Sequence, residues 1–284
     1  MKIFSGFATI WKHSNWRFRM GFIMTAFSVL LGFGVYFFPH TDPFLIMSYP
    51  THQGPSWDHW LGTTTIGQDI FWLLINGIHN SLLIGVIVAT AGTAIGVLIG
   101  LIAGFTGGIV DRVLSTITDT FIVVPVLPIL ILMGSLMQGQ ATVLTVAVTL
   151  SLFSWAWPSR QIRSMALTLR ERDFIHTARF SGEGMFQIVT TEILPFALTW
   201  SLSNFLNAVI VAIGTETGLA ILGLSPSTLV SLGNMLQWAR ARNAIFAGEW
   251  IWIGSPIVAI AFIFIGLFLL FTGYNDFLSK KRGQ

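Results

Sequence analysis

The sequence predicts an all-α integral membrane protein with six transmembrane helices. Apolar residues make up 54% of its 284 residues and charged residues only 10%, whereas an ordinary soluble domain is about 25% charged. Apolar segments also recur at lengths that suit a bilayer, which a helix crosses with roughly 20 residues. The predicted spans cover residues 20–38, 81–104, 113–137, 140–159, 193–215 and 250–273.

The distribution of Lys and Arg predicts the orientation of these spans. Six spans place thirteen of the fifteen Lys and Arg residues on one side of the membrane, and only Arg240 and Arg242 on the other. Because positively charged segments stay on the cytoplasmic side, we expect both termini and the segment 160–192 to be cytoplasmic. The net charge of +3 then reflects topology and contact with anionic membrane lipids, and not nucleic-acid binding.

The segments that flank the first span differ in composition. The N-terminal segment 1–19 repeats apolar residues at helical spacing beside lysines, which predicts a cytoplasmic interfacial helix. The first span, 20–38, is too long for a signal-peptide core and no small-residue cleavage site follows it, so we expect it to remain in the mature protein. The segment 39–80 contains no Lys or Arg and several prolines, which predicts an extracytoplasmic loop. A cytoplasmic tail is predicted at 276–284.

The second span carries a glycine at every fourth position, at Gly92, Gly96, Gly100 and Gly104. On a helix these residues form one smooth face, which lets another backbone approach closely. We expect this face to pack against another helix. Two interpretations remain open, a static seam within one subunit and a surface that slides during transport.

Two acidic residues in or beside the spans are candidates for a pathway or a gate. Asp119 lies inside the third span, where a carboxylate is costly unless it faces a partner or a wet cavity. Glu216 lies at the outer end of the fifth span, where it either caps a turn through backbone amides or contacts substrate. For Asp119 the alternatives are a structural hydrogen bond or a position near the cytoplasmic boundary. Pro125 and Pro128 predict a kink in the same span.

The segment 160–192 is charged and compatible with helix, although it lies between two apolar spans. Gly182 at its centre is suited to the left-handed conformation that ends a short helix, and Leu194-Pro195 follows at the start of the next span. The residues themselves leave two surroundings open for the aromatic side chains of this segment, a partner groove and the underside of the membrane. A generic amphipathic loop does not explain the spacing of Ala178, Gly182 and Leu194-Pro195.

This spacing resembles the Glu-Ala-Ala coupling loop of ABC importer permeases, with His176-Thr177-Ala178 in the place of the triplet. Two further segments resemble signatures of the oligopeptide, dipeptide and nickel permease family, C-type subunit. Residues 61–69, with Gly77 and Ser81, resemble "LGTDxxGRD…G…SL", and residues 216–236 resemble "ETALSFLGLG…P…WGxML". Thr64, Gln68 and His79 stand where the first signature usually has Asp, Arg and Arg.

The resemblance implies a type I ABC importer permease fold, in which a core transmembrane domain, 81–275, carries a coupling loop at 160–192 and an outer loop at 216–249. It implies partners as well: a homologous second permease subunit, two ATPase subunits and an extracytoplasmic substrate-binding protein. The chain has no G-x-x-x-x-G-K-[ST] phosphate loop, so we expect ATP and Mg²⁺ on the ATPase subunits and no cofactor on this chain. The residues implied in coupling are Phe174, His176, Thr177, Ala178, Arg179, Gly182, Leu194 and Pro195.

We therefore expect a multi-pass subunit of the cytoplasmic (inner) membrane that takes part in ATP-driven import of an oligopeptide or an oligosaccharide, and that is not itself an enzyme. The family also transports nickel, but the outer-loop histidines lack compact ligand spacing, so no metal site is predicted. The alternative function is an ion-coupled secondary transporter. It would show inverted repeats and paired intramembrane acids, and the sequence shows neither clearly.

Overall fold

A computed structural model of the chain describes residues 14–37, 42, 45–136, 142–226 and 228–282. In these residues the regular secondary-structure elements are helices. An isolated β-bridge pairs Thr63 with Asp69. Most of the predicted interfacial segment, residues 1–13, and residues 137–141, where the predicted spans 113–137 and 140–159 meet, lie outside the described residues. The helices are α1 Trp16–Phe37, α2 Ile70–Thr106, α3 Gly108–Val123, α4 Val126–Leu136, α5 Val143–Ser154, α6 Ala156–Arg170, α7 Asp173–Phe180, α8 Met185–Ile188, α9 Leu194–Ile221, α10 Leu232–Ala241 and α11 Trp250–Arg282, with a π-helical turn at Val189–Ile193 between α8 and α9.

Four helical stretches in the described residues are long and apolar enough to cross a membrane. A fifth is present if α3 and α4, which meet at an angle of 75°, count as one broken span. The bend lies at Pro125, because proline disfavours helical geometry in the residue before it and has no N–H to donate. The four stretches are Trp16–Phe37, Ile70–Thr106, Met185–Ile221 and Trp250–Ser279.

The structure departs from the sequence at the predicted span 140–159. This segment divides into α5, of 12 residues, and the start of α6, of 15 residues. The break lies at Trp155, because Pro158 has no N–H to donate to the Ser154 carbonyl oxygen. Neither helix alone is long enough to span a bilayer, which takes roughly 20 residues. The six predicted spans are thus matched by four or five candidates.

The central helix, α2, contains 37 residues and begins at Ile70, well before the predicted start at residue 81. Its early start follows from a cap: Asp69 Oδ1 accepts from the backbone N–H groups of Phe71 and Trp72 at 2.8 and 3.2 Å. A capping carboxylate satisfies N–H groups that the first helical turn leaves without partners. The last part of the predicted loop 39–80 is therefore helical.

The glycine face of α2 packs against α5 and α6 of the same chain. A Cβ atom at Gly96 would lie 2.6 Å from Pro158 Cβ and 2.9 Å from the Trp155 carbonyl oxygen. At Gly100 it would lie 2.6 Å from the Ser159 carbonyl oxygen. Only hydrogen fits at these positions, so the two backbones meet without intervening side chains. Because this chain itself covers the face, a partner subunit has no access to it.

Glycines also join the first and last helices. A Cβ at Gly266 of α11 would lie 2.9 Å from Met24 Cβ of α1. Near the N-terminal end of α1, Asn15 Nδ2 donates to Asp276 Oδ2 at 2.7 Å, and an Arg17 nitrogen lies 3.5 Å from the same oxygen. These contacts attach α1 to the end of α11.

We expect Gly96→Leu to destabilise the bundle by about 3 kcal/mol, the upper end of overpacking costs, because the added side chain meets the backbone of α6. The measurement is thermal unfolding of the purified protein in detergent. The matched control is Gly254→Leu in α11, where a Cβ would meet no atom within 4 Å. Equal melting temperatures for the two variants would contradict the packing described for α2.

Candidate functional site

The segment predicted to couple to a partner folds into a short helix with a defined end. Gly182, just after α7, has a φ of 85°, as the sequence predicts. Its N–H donates to the Arg179 carbonyl oxygen at 3.0 Å, and the Glu183 N–H donates to the Ala178 carbonyl oxygen at 3.1 Å. These two bonds form a Schellman motif, which requires a left-handed residue at the position of Gly182.

The inner face of α7 is packed against three long helices of its own chain. Ile175 and Ala178 belong to a buried cluster that contains residues from the C-terminal end of α2, from α6 and from the start of α9. The Arg179 guanidinium carbon lies 5.7 Å from the centre of the Phe105 ring, at the end of α2. These contacts therefore hold α7 against α2, α6 and α9. The buried cluster consists of Leu101, Phe105, Ile162, Ala166, Ile175, Ala178, Ile188, Ile193 and Ala197, with Leu194 partly buried beside it.

The outer face of α7 and the short helix α8 present large apolar side chains to the surroundings. Phe180 is 91% exposed and Phe186 is 82% exposed. Phe174, His176 and Thr177 are exposed on α7 as well, as is Pro195 near the start of α9. Ala178, which is only 8% exposed, lies on the inner face and supports α7 rather than lining its outer surface.

Asp119, a candidate pathway residue, lies on an exposed surface of α3 in this chain. Its Oδ1 is 3.7 Å from an Arg160 nitrogen of α6. Nearby, Arg163 donates to both oxygens of Asp111, at 2.5 and 2.8 Å. Two ion pairs thus join α3 to α6. The Asp119 pair is more than half exposed, and such pairs contribute about 0–1 kcal/mol, so its role here is a weak link between helices.

Glu216 is buried, with 1% of its surface exposed. Its Oε1 accepts from the Ser231 hydroxyl at 2.7 Å and from the Ser225 hydroxyl at 3.4 Å. The donors are hydroxyl groups and not the backbone amides expected from the sequence. The backbone contact is indirect, because the Ser231 Oγ that donates to Glu216 also accepts from the Asn234 N–H at 3.1 Å and caps α10.

The two segments that resemble the family signatures, residues 61–81 and 216–236, contact each other. The Leu232 N–H donates to Ser81 Oγ at 3.1 Å, and Asn80 Nδ2 donates to the Val230 carbonyl oxygen at 2.7 Å. A Cβ at Gly77 would lie 3.1 Å from Met235 Sδ. Asn80 is a contact that sequence reasoning missed, although it directly precedes the Ser-Leu pair of the signature. These bonds attach the N-terminal half of α2 to α10.

The loop before α2 is held in place by hydrogen bonds to an uncharged threonine side chain and by two histidine–carboxylate pairs. Thr64, at a position where the signature usually has Asp, is fully buried, and its Oγ1 accepts from the Ile66 and Gln68 N–H groups at 3.3 and 3.1 Å. His59 Nδ1 lies 2.7 Å from Asp69 Oδ2. His52 Nδ1 lies 2.7 Å from Glu249 Oε1; burial raises the pKa of Glu249, and His52 partly opposes this shift.

In the part of the chain that the structure describes, no group of three His, Asp or Glu side chains is placed to hold a metal ion. Two of the outer-loop histidines, His52 and His59, are instead paired with carboxylates, and His40 lies outside the described residues.

A cavity of about 390 Å³ lies among α2, α4, α5, α6 and α9. Its walls are mostly apolar, and five polar side chains border it: Thr93, Ser154, Asn204, Asn207 and Thr215. Sequence reasoning did not single out these residues. Asn204 and Asn207 were detectable as amides within an otherwise apolar span. Neither Asp119 nor Glu216 borders this cavity.

A bundle of long apolar helices with an amphipathic helix at its end is the architecture of a polytopic membrane protein. Residues 96–284 match the family of binding-protein-dependent transport system inner membrane components, and the chain belongs to this family. It is a transport subunit of an ABC system rather than an enzyme, and a membrane protein that crosses the bilayer several times.

Individual relatives match most of the chain. It is 32% identical over 210 residues to the oligopeptide transport system permease protein OppC of Mycobacterium tuberculosis (strain H37Rv), covering 73% of this chain and 72% of the relative. A putative peptide permease protein of Brucella suis is 33% identical over 220 residues, covering 76% and 72%. The oligopeptide transport system permease protein OppC of Lactococcus lactis is 30% identical over 213 residues, covering 73% and 72%.

We expect Ser231→Ala to lower stability by about 1–3 kcal/mol, because it removes the cap of α10 and leaves the buried Glu216 carboxylate without its short hydrogen bond. Thermal unfolding of the purified protein measures this loss. Ser48→Ala is the control, since the exposed Ser48 hydroxyl bonds only to the nearby Leu45 carbonyl oxygen. A Ser231→Ala variant as stable as the control would show that this network does not hold the outer segments together.

Proposed function

We propose that this chain is the C-type transmembrane subunit of an ATP-driven importer that moves an oligopeptide, delivered by an extracytoplasmic binding protein, across the cytoplasmic membrane. The observation that carries the proposal is α7, which is fixed on its inner face and exposes aromatic side chains on its outer face. The sequence left oligopeptide and oligosaccharide open, and the names of the three relatives favour the oligopeptide.

The proposed assembly contains a homologous second permease, two ATPase subunits that bind ATP and Mg²⁺, the binding protein and surrounding lipid. In this assembly an ATPase subunit contacts the outer face of α7 through Phe174, His176, Thr177 and the exposed Phe180. The inner face transmits the displacement, because Ile175 and Ala178 are packed against the ends of α2, α6 and α9. A push on α7 therefore moves three long helices together.

The proposed topology has six crossings. Four are the long stretches of α1, α2, α8–α9 and α11, the fifth is the bent pair α3–α4, and the sixth is α5 with the beginning of α6. An even number of crossings places both termini on one side. The excess of Lys and Arg assigns that side to the cytoplasm, and α7 lies on the same side.

The alternative of an ion-coupled secondary transporter receives less support. Such a carrier uses acidic residues that are close together and exchange ions within the membrane. Asp119 and Glu216 lie on different helices, and each already has a partner, Arg160 for the first and Ser231 for the second.

The proposal is tested by Gly182→Val in the reconstituted complex. Valine resists the left-handed conformation at this position, so we expect uptake of radiolabelled trialanine to fall at least about tenfold, since a misplaced α7 no longer transmits force. Gly184→Val is the matched control, because Gly184 has a φ of −71° and open space around it. ATPase activity and thermal stability are measured alongside uptake.

Loss of uptake with the ATPase subunits still bound fits a broken transmission, and loss of the subunits fits a broken docking surface. Unchanged uptake in Gly182→Val would mean that α7 is an ordinary connection, and the proposed coupling would be wrong. A wild-type complex that binds no ATPase subunit would overturn the assignment as an ABC importer subunit.

The topology is tested with Ser181→Cys, since the chain has no natural cysteine and Ser181 is exposed. We expect a membrane-impermeant maleimide to label this variant in inverted vesicles but not in intact cells. Thr51→Cys, in the exposed outer loop, is the control and should show the opposite pattern. Labelling of Ser181→Cys in intact cells would reverse the proposed orientation.

A further inference from the structure

The cavity among α2, α4, α5, α6 and α9 lies at the middle of two of the longest helices. It borders α2 from Val88 to Thr93, within a helix that runs from residue 70 to 106, and α9 from Asn204 to Thr215. Exposed side chains, among them Trp157 and Val211, form part of its rim. Its volume of about 390 Å³ falls in the range of small-ligand sites, about 300–1,000 Å³.

Two buried polar groups on its wall have no hydrogen-bond partner among the described residues, and the exposed Asn207 makes no hydrogen bond there either. Asn204 is 7% exposed and makes no side-chain hydrogen bond there, while its side chain borders the cavity. Thr93 Oγ1 is buried and also lacks a partner. A polar group without a partner in the protein keeps its capacity to bond to an occupant of the cavity.

Other hydroxyl groups on the same wall are already satisfied. Thr215 Oγ1 donates to the Val211 carbonyl oxygen at 2.8 Å, and Ser154 Oγ donates to the Ser151 carbonyl oxygen at 3.2 Å. Backbone bonding of this kind is the usual state of Ser and Thr in membrane helices. Asn204 and Thr93 therefore stand apart from their neighbours.

The chemistry of the wall defines the class of occupant. None of the residues that border the cavity carries a titratable side chain, so the wall offers no charge to attract or repel an ion. An Asn amide both donates and accepts, so it can bond to a peptide C=O or a peptide N–H. A lipid tail or an apolar helix would leave both Asn204 and Thr93 without a partner. The apolar remainder, including Leu130 and Phe153, accepts uncharged side chains.

We propose that Asn204 and Thr93 form a mid-membrane binding station for the uncharged backbone amides of a peptide in transit, with Asn207 at its rim. This inference rests on the proposed function and adds the site at which the solute is held. Amides are shared by all peptides, and a neutral station therefore passes peptides of varied sequence.

The test uses the complete complex in proteoliposomes, loaded binding protein at saturation and radiolabelled trialanine as the probe. Thr93→Val removes the hydroxyl and keeps the shape of the side chain, and Thr93→Ser keeps the hydroxyl. Asn204→Leu removes the amide at similar volume. The matched control is Thr215→Val, on the same wall, where the hydroxyl already bonds to its own helix.

We expect about tenfold lower uptake in Thr93→Val and Asn204→Leu, the effect of losing one hydrogen bond to the solute, with near-normal uptake in Thr93→Ser and Thr215→Val. Melting temperatures should be unchanged or higher in Thr93→Val and Asn204→Leu, since each loses an unpartnered polar group. A purely structural role would instead lower them. If Asn204→Leu does not assemble, the Thr93 pair decides the question alone.

The outcomes separate this inference from the proposed function. If the wild-type complex takes up no trialanine, the proposed function fails. If the wild type takes up trialanine and Thr93→Val does so at the same rate as Thr93→Ser, the binding station is wrong and the proposed function stands. Equal loss in Thr215→Val would also overturn the station, because it would assign the effect to packing of the wall and not to the two unpartnered groups.

Discussion

The close approach of α2 to α5 and α6 through glycine is the contact on which the rest of the structure depends. Lipid tails are as apolar as leucine, so helices in a bilayer gain little from hiding apolar side chains and must gain from contact area. At Gly96 and Gly100 the backbone of α6 comes so near that only hydrogen fits. Since α6 leads directly to α7, this seam fixes where the exposed helix lies. It also sets one wall of the cavity at Gly92.

The same helix connects the two ends of the molecule. Near its start, Asn80 and Ser81 bond to the backbone of the α10 region, and at its end Leu101 and Phe105 pack under α7. These contacts are linked by one continuous helix of 37 residues. Each residue of a helix adds about 1.5 Å along its axis. Between these two sets of contacts the same helix borders the cavity, from Val88 to Thr93.

Features that depend on local backbone chemistry could be predicted from the sequence, and features that depend on distant partners could not. The left-handed Gly182 and the break at Pro125 each follow from one residue type at one position, and the glycine face of α2 follows from one residue type repeated at every fourth position. The early start of α2 at Ile70 also rests on a local signal, the Asp69 cap, but a search for apolar spans alone overlooks it. By contrast, spacing alone did not show that Ala178 faces inward, because its neighbours come from α2, α6 and α9.

The acidic residues and the cavity show why charge is an incomplete guide to a transport site. A carboxylate in a medium of low polarity must be paired, and a paired carboxylate has little capacity left for a solute. Asp111 is engaged by Arg163, and Glu216 Oε1 is engaged by serine hydroxyls. An amide costs less to leave without a partner than a charge does. Asn204 can therefore stand unpartnered at the cavity wall, available to a passing solute, while the charged groups hold helices and loops in place.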